Sequence, residues 1–340
     1  MSLQSIKDVT DAQINPLTRL SDLFDADMKE VNRIILHRMH SDVPLIPQLA
    51  GHLIAAGGKR LRPLLTIASA AICGYPSSGG RHHQLAACVE FIHTATLLHD
   101  DVVDESDQRR GQDSANAIFG NESAVLVGDF LFSRAFQVMV EDGSLDVLRI
   151  LSNASAVIAE GEVMQLATAN NLETSFDQYL KVITAKTAAL FAAACETGGV
   201  VAEMDKQTNQ ALYDYGLNLG IAFQIADDVL DYQASANKLG KAIGDDFKEG
   251  KMTLPVIYAL EQASDEEKEF WQDAFVKDNL NDDSLKTATA ICVRHDAFER
   301  SLETARMYKD KALQALNILP EHPARDILED IADYVIDRTN

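Results

Sequence analysis

Two copies of one acidic spacing stand out in this 340-residue chain: Asp100-Asp101-Val102-Val103-Asp104 and Asp227-Asp228-Val229-Leu230-Asp231. On a helix, the first and fifth carboxylates of each copy share a face, with the second beside them. Both copies follow apolar runs, from Phe91 to Leu98 and from Leu219 to Ala226. Either cluster alone reads as a solvated helix end. Two of them, each closing a helix that otherwise looks buried, need a cation to offset desolvation and mutual repulsion. Oxygen-only donors, without cysteine or a histidine pair at metal spacing in the clusters, favour a hard ion. Mg²⁺ is commonly held by one or two carboxylates while substrate phosphate oxygens and water complete its octahedron. The expectation is two facing acidic arms clamping a diphosphate through several Mg²⁺ ions.

The basic residues gather where such an anion would need them. Lys59-Arg60-Leu61-Arg62 follows Gly57-Gly58 and opens a helix, and Arg109-Arg110-Gly111 follows the first acidic cluster. Glycine lets backbone approach an anion, arginine pairs bidentately with phosphate, and a helix N-terminus adds favourable partial charge. Lys186-Thr187 lies on an apolar helix, where a lone lysine usually snorkels to solvent. Gln224, one turn before the second cluster, reads equally as a core amide, and His93 and His99 are ambiguous on the residues alone.

The elements that must position these groups are helices. Of the eight prolines none lies between Pro76 and Pro255, and proline costs about 3 kcal/mol inside a helix. Strand signals are poor. Helices are expected near 18–40, 43–56, 62–74, 81–107, 114–139, 144–169, 176–197, 207–233, 252–262, 283–294, 296–317 and 323–338. Pro63 suits the first turn of its helix, and Gly57-Gly58, Gly79-Gly80, Gly120, Gly143 and Gly198-Gly199 read as turns. Segments 81–107 and 207–233 are apolar around much of their circumference and belong at the centre of a bundle. The acidic stretch from about 264 to 284 reads as a solvated surface segment. With no separating linker, residues 1–340 are expected to form a single all-α domain, a helical bundle around a central apolar cavity, with 1–17 a loosely ordered lead-in.

Composition narrows the function. A formal net charge of −22 argues against nucleic-acid binding through a general basic surface. The scattered cysteines Cys73, Cys88, Cys195 and Cys292 fit reduced, packed thiols. No uncharged run spans a bilayer, and residues 1–7 lack an apolar signal core, so a cytoplasmic location is expected without a transmembrane segment.

In this order, the motifs GGKRxRP, DDxxD with RRG, KT and a second DDxxD resemble those of the trans-isoprenyl diphosphate synthases. The likeness extends from about residue 20 to the C-terminus, and Glu90–Arg110 is most similar to long-chain bacterial members, the octaprenyl diphosphate synthases in particular. The resemblance implies that Asp100, Asp101, Asp104, Asp227, Asp228 and Asp231 hold Mg²⁺. It implies that Arg109, Lys186, Thr187, Gln224, Lys241 and Lys251 contact an allylic diphosphate, and that Lys59, Arg62, His93 and Arg110 bind isopentenyl diphosphate. The implied reaction is ionisation of the allylic carbon–oxygen bond, attack by the isopentenyl double bond, and proton loss to a diphosphate one unit longer, with the released diphosphate as base.

A growing chain needs an apolar shaft, and each five-carbon unit buried contributes roughly 3–4 kcal/mol. Ala95 and Thr96, one turn before Asp100, are small where shorter-chain relatives are expected to carry aromatic rings. A product of about forty carbons, built on a primer such as farnesyl diphosphate, follows from that analogy, with Phe91 or Phe132 as candidate floor residues whose plain alternative is core packing. A shorter-chain synthase, a terpene cyclase and a non-catalytic subunit are the competing readings. The cyclase leaves Lys59, Arg62 and Arg110 without a task, and intact aspartates oppose the inactive subunit. The family analogy adds a homodimer and transient membrane contact during product release.

Overall fold

The computed structural model describes residues 15–55, 58–109, 111–233, 244–277 and 279–337. Within them the chain is helical apart from one hairpin, β1 (Gln108–Arg109) and β2 (Gln112–Asp113), so the all-α expectation holds. Helices α1 (Pro16–Leu23), α2 (Asp25–Arg38), α3 (Leu45–Ala55) and α4 (Leu61–Ile72) lead to the long α5 (Arg81–Val103). After the hairpin come α6 (Ala115–Phe119), α7 (Asn121–Asp142), α8 (Leu145–Thr168), α9 (Phe176–Ile183) and α10 (Ala189–Val201). The last part holds α11 (Lys206–Gln233), α12 (Asp245–Lys248), α13 (Leu254–Glu261), α14 (Asp265–Trp271), α15 (Asp282–Arg294), α16 (Ala297–Leu316) and α17 (Pro323–Asp337).

Local chemistry sets the boundaries. Asn15 caps α1 through its side chain, with Pro16 in the first turn. Of the lead-in expected to be loose, 1–14 lie outside the described residues, while Asn15, Pro16 and Leu17 belong to this cap and helix. Ser114, Ser144 and Ser175 cap α6, α8 and α9, and Ser175 forms a reciprocal capping box with Gln178. The expected helix at 18–40 is broken at Phe24, and that at 114–139 at Gly120, whose φ is +84°.

Helices α5 and α11 occupy the interior, as their all-round apolarity requires. Helix α5 packs against α7 and α4, and α11 against α16 and α10. The larger apolar cluster joins residues from α1 through α11 with α16 and α17. A second gathers Val229, Tyr232, Phe247, Trp271, Phe275 and Phe298 under the carboxy-terminal half.

Two readings are corrected here. The acidic 264–284 stretch is not wholly a solvated segment: Ser264 and Glu267 form a capping box that starts α14, and Trp271 is fully buried. Truncating a core tryptophan to alanine typically costs about 3–5 kcal/mol, so this helix is anchored. Gly198-Gly199 is not a turn. Both lie inside α10, and a Cβ on Gly198 would come within 2.6 Å of the Thr66 carbonyl oxygen, so the missing side chain admits α4 at close range.

Candidate active site

The two acidic clusters close α5 and α11, and both helices end at one cavity of about 430 Å³. Asp100, Asp104, Asp227, Asp228 and Asp231 line it together with Arg109, Lys186, Thr187, Gln224 and Lys251. Asp101 is placed differently. It is buried, absent from the cavity wall, and its Oδ1 accepts the Arg109 guanidinium through Nε at 2.7 Å and Nη2 at 2.6 Å. The middle carboxylate thus aims an arginine that does reach the cavity.

The opposing arms are joined by a lysine. Lys251 Nζ lies 3.2 Å from Asp104 Oδ2 and 3.5 Å from Asp246 Oδ1, and it also pairs with Glu249. The Asp246 backbone N–H donates to Asp231 Oδ2 at 3.1 Å, which carries the connection to the second cluster. Burial alone would disfavour the Lys251 charge, but Asp246, Glu249 and Asp104 hold its pKa well above the ordinary value.

Lys186 and Thr187 lie in a π-helical turn, 184–188, between α9 and α10. One-turn π segments recur at functional sites because the extra residue re-aims neighbouring side chains. Close approach sustains this one on both sides. A Cβ on Gly161 of α8 would lie 2.8 Å from the Lys186 nitrogen, and one on Gly220 of α11 would lie 2.6 Å from Ala188 Cα. Lys186 Nζ thereby reaches Glu162 at 2.7 Å and Asp100 at 3.7 Å. Thr187 donates to Gln224 Oε1 at 2.7 Å, leaving the Gln224 amide to donate to Asp228 Oδ1 at 2.8 Å. Tyr179 donates its hydroxyl to Asp228 Oδ2 at 2.6 Å.

These carboxylates carry more charge than burial tolerates. Burial lifts Asp100 above the usual range, Lys186 pulling back and Asp104 adding repulsion. Burial and the Asp100 charge raise Glu162 to about 7. Asp228 is pushed up strongly by burial and Asp246, against the hydrogen bonds from Tyr179 and Gln224. The donor set is all oxygen, and acidic groups outnumber the basic ones on the cavity wall, which fits hard divalent ions.

A second cavity, of about 410 Å³, adjoins the first and shares Arg62, His93 and Phe223 with it. Gly58, Lys59, Arg60, Glu90, Phe191 and Tyr334 are among its other lining residues. Arg62 Nη1 is 3.1 Å from His93 Nε2, and its guanidinium lies 4.4 Å from the Phe191 ring centroid. Arg60, with φ +46°, turns back to pair with Glu90, while the Lys59 ammonium is 5.6 Å from the Tyr334 ring. Arg110 and Lys241 lie outside the described residues.

Of the shaft residues, Thr96 lines the first cavity beside Leu97. Ala95 and Phe91 are enclosed in the core, and Phe132 is half-buried with its ring 6.0 Å from His99. Sequence reasoning missed Glu162, Tyr179, Asp246 and Glu249. Each is an isolated polar residue brought in by another helix or loop, and no local pattern marks any of them.

A fold that ends two acidic helices at a polar cavity, with a basic cavity alongside, defines the isoprenoid diphosphate class of prenyltransferases. The polyprenyl synthetase family profile matches residues 43–292, and the chain belongs to that family. It is 44% identical over 325 residues to octaprenyl diphosphate synthase of Escherichia coli, covering 95% of this chain and 99% of the relative. A decaprenyl diphosphate synthase structure from Rhodobacter capsulatus superposes with a TM-score of 0.91 at 52% identity, covering 95% and 99% of the two chains. A polyprenyl synthase from Caulobacter crescentus, complexed with calcium and isoprenyl diphosphate, gives 0.92 at 51% identity, covering 95% and 98%.

Proposed function

We propose that this prenyltransferase lengthens an allylic diphosphate such as farnesyl diphosphate by repeated condensation with isopentenyl diphosphate, ending at eight to ten isoprene units. The observation that carries it is the pair of adjoining cavities, one acidic and one basic, sharing Arg62, His93 and Phe223. A terpene cyclase has no use for the second cavity.

Asp100, Asp104, Asp227, Asp228 and Asp231 are the groups suited to hold Mg²⁺; Asp101 acts through Arg109. Calcium in the Caulobacter relative supports a hard divalent ion. Bound Mg²⁺ would supply charge neutralisation on the departing diphosphate. Arg109, Lys186 and Lys251 line the same cavity and would meet the same diphosphate oxygens, while Thr187 orients Gln224, whose amide donates to the Asp228 carboxylate. Lys59, Arg62 and His93 hold the second diphosphate, and Phe223, on the shared wall, keeps water from the carbons that join. Arg110 and Lys241 are assigned by motif alone, to the isopentenyl and allylic diphosphates respectively.

Thr96 is small and lies on the cavity wall, which supports a shaft that stays open beside α5 and a long product. Similarity to octaprenyl and decaprenyl synthases supports a length of about forty to fifty carbons. Phe132 and Phe91 remain the floor candidates, and replacing the true floor residue with alanine lengthens the product. Helix α7 is long and apolar enough to cross a membrane by length and composition, yet it carries Asp129 and Arg134 and packs along α5. Its Val125, Leu126, Phe136 and Val140 are exposed on one face, and a homodimer covering that face is part of the proposal. Farnesyl diphosphate, labelled isopentenyl diphosphate and Mg²⁺ incubated with the purified chain test the reading. Products of forty to fifty carbons support it, and turnover without isopentenyl diphosphate refutes it.

A further inference from the structure

At the far end of α5 from its acidic cluster, three metal-ligating side chains converge that the prenyl-transfer chemistry does not use. Asp27, in the first turn of α2, meets His82 and His83, in the first turn of α5. Asp27 Oδ1 is 2.7 Å from His83 Nε2 and 3.4 Å from His82 Nε2, and one donor atom from each of the three residues lies within 4.8 Å of the others. The two imidazoles are buried, with ring centroids 3.8 Å apart.

Hydrogen bonding alone leaves this trio under-satisfied. One carboxylate oxygen serves two rings, and the buried His82 Nδ1 has no hydrogen-bond partner among the described residues. The surrounding charges leave the cluster free to act. Arg81 is neutralised by Asp142 at 2.8 Å, Glu30 is occupied by Arg33, and the Tyr75 ring walls off His82 at 5.1 Å between centroids.

We propose that Asp27, His82 and His83 form a binding site for a divalent d-block ion, Zn²⁺ in the first instance. A tetrahedral ion about 2.0–2.1 Å from each donor separates the donors by about 3.3 Å, so the trio needs only small adjustments to enclose one. Two imidazoles and a carboxylate suit Zn²⁺, Co²⁺ or Ni²⁺ and disfavour Mg²⁺. The fourth position falls to water. The ion would tie α2 to the start of α5 roughly 27 Å along the helix from Asp100, counting about 1.5 Å per residue, so it is separate from the diphosphate-binding ions.

Chelator-stripped full-length protein, with Mg²⁺ and inorganic diphosphate added to fill the acidic cavity, is titrated with Co²⁺ and, separately, with Zn²⁺. The expected result is one tightly bound ion per chain and the strong visible absorption of four-coordinate Co²⁺. A hundredfold excess of Zn²⁺ over its dissociation constant raises the melting midpoint by about 3–4 °C. Asp27→Asn, His82→Gln and His83→Gln each abolish the Co²⁺ band while prenyl transfer persists. Wild-type protein showing only weak six-coordinate bands overturns the proposal however the variants fold. So does a band that survives in all three.

Discussion

Removing the Tyr179 hydroxyl isolates the support given to one buried carboxylate. Asp228 is almost fully enclosed, and its oxygens accept from Tyr179 at 2.6 Å and Gln224 at 2.8 Å. A hydrogen bond to a charged group contributes about 1.5–3 kcal/mol, equivalent to about 10–150-fold in an equilibrium. Expressed as acidity, Tyr179→Phe raises the already raised Asp228 pKa further, because the charged form loses a hydrogen-bond donor. Protons compete with the divalent ion for that carboxylate, so half-saturation by Mg²⁺ shifts upward by at most about 10–150-fold, and most at the lowest pH. The sign follows from the raised pKa. Below it the group is protonated and the deficit is full, and as pH climbs through it the deficit shrinks. Initial rates measured against Mg²⁺ concentration at pH 6.5, 7.5 and 8.5 give the comparison, with the melting midpoint as a check on folding. An unchanged Mg²⁺ requirement, or a deficit equal at all three pH values, refutes the reasoning.

Metal-free protein is expected to lose stability as pH rises from about 5 to 7.5. Glu162, raised to about 7, together with Asp100 and Asp228, must then ionise in the folded state above its unfolded value. Scanning calorimetry in chelator reveals this slope, and Mg²⁺ with diphosphate flattens it. Lys59→Ala raises KM for isopentenyl diphosphate about tenfold or more and leaves that for the allylic substrate nearly unchanged, as steady-state kinetics with each substrate varied will show. Thr96→Phe brings a ring into the cavity wall and shortens the product by several units on thin-layer analysis of the labelled prenyl chains. Leu126→Asp with Val140→Asp places charge on the exposed face of α7 and tests the proposed homodimer, with an expected fall of the sedimentation coefficient to that of a monomer.

Legibility in the sequence followed distance along the chain. Carboxylates four residues apart, the basic groups after the glycine pair, and the apolar helices beneath them are local patterns, and the structure brings five of the six motif aspartates to one cavity. Asp101 was marked by the same motif, yet hydrogen bonding with Arg109 of β1 decides its direction. Tyr179 and Glu162 reach the cavity only because α9 and α8 pack beside α11 and the π turn. That π turn was invisible because its apolar pattern continues the helical period on either side. Gly198-Gly199 misled because a glycine pair marks a turn in propensity and a close helix contact in packing. In 264–284, the charges of Asp265, Glu266 and Glu269 masked the inward face carried by Trp271 and Phe275.

The ammonium of Lys251, lodged between Asp104 and Asp246, makes the acidic jaws partly self-neutralising. Repulsion that would otherwise spread them between turnovers is damped by a tethered charge that cannot diffuse away. Cleft geometry therefore persists while one pyrophosphate departs and the next substrate arrives. An enzyme that repeats a single step many times on one growing chain gains from jaws that need no rebuilding at each cycle.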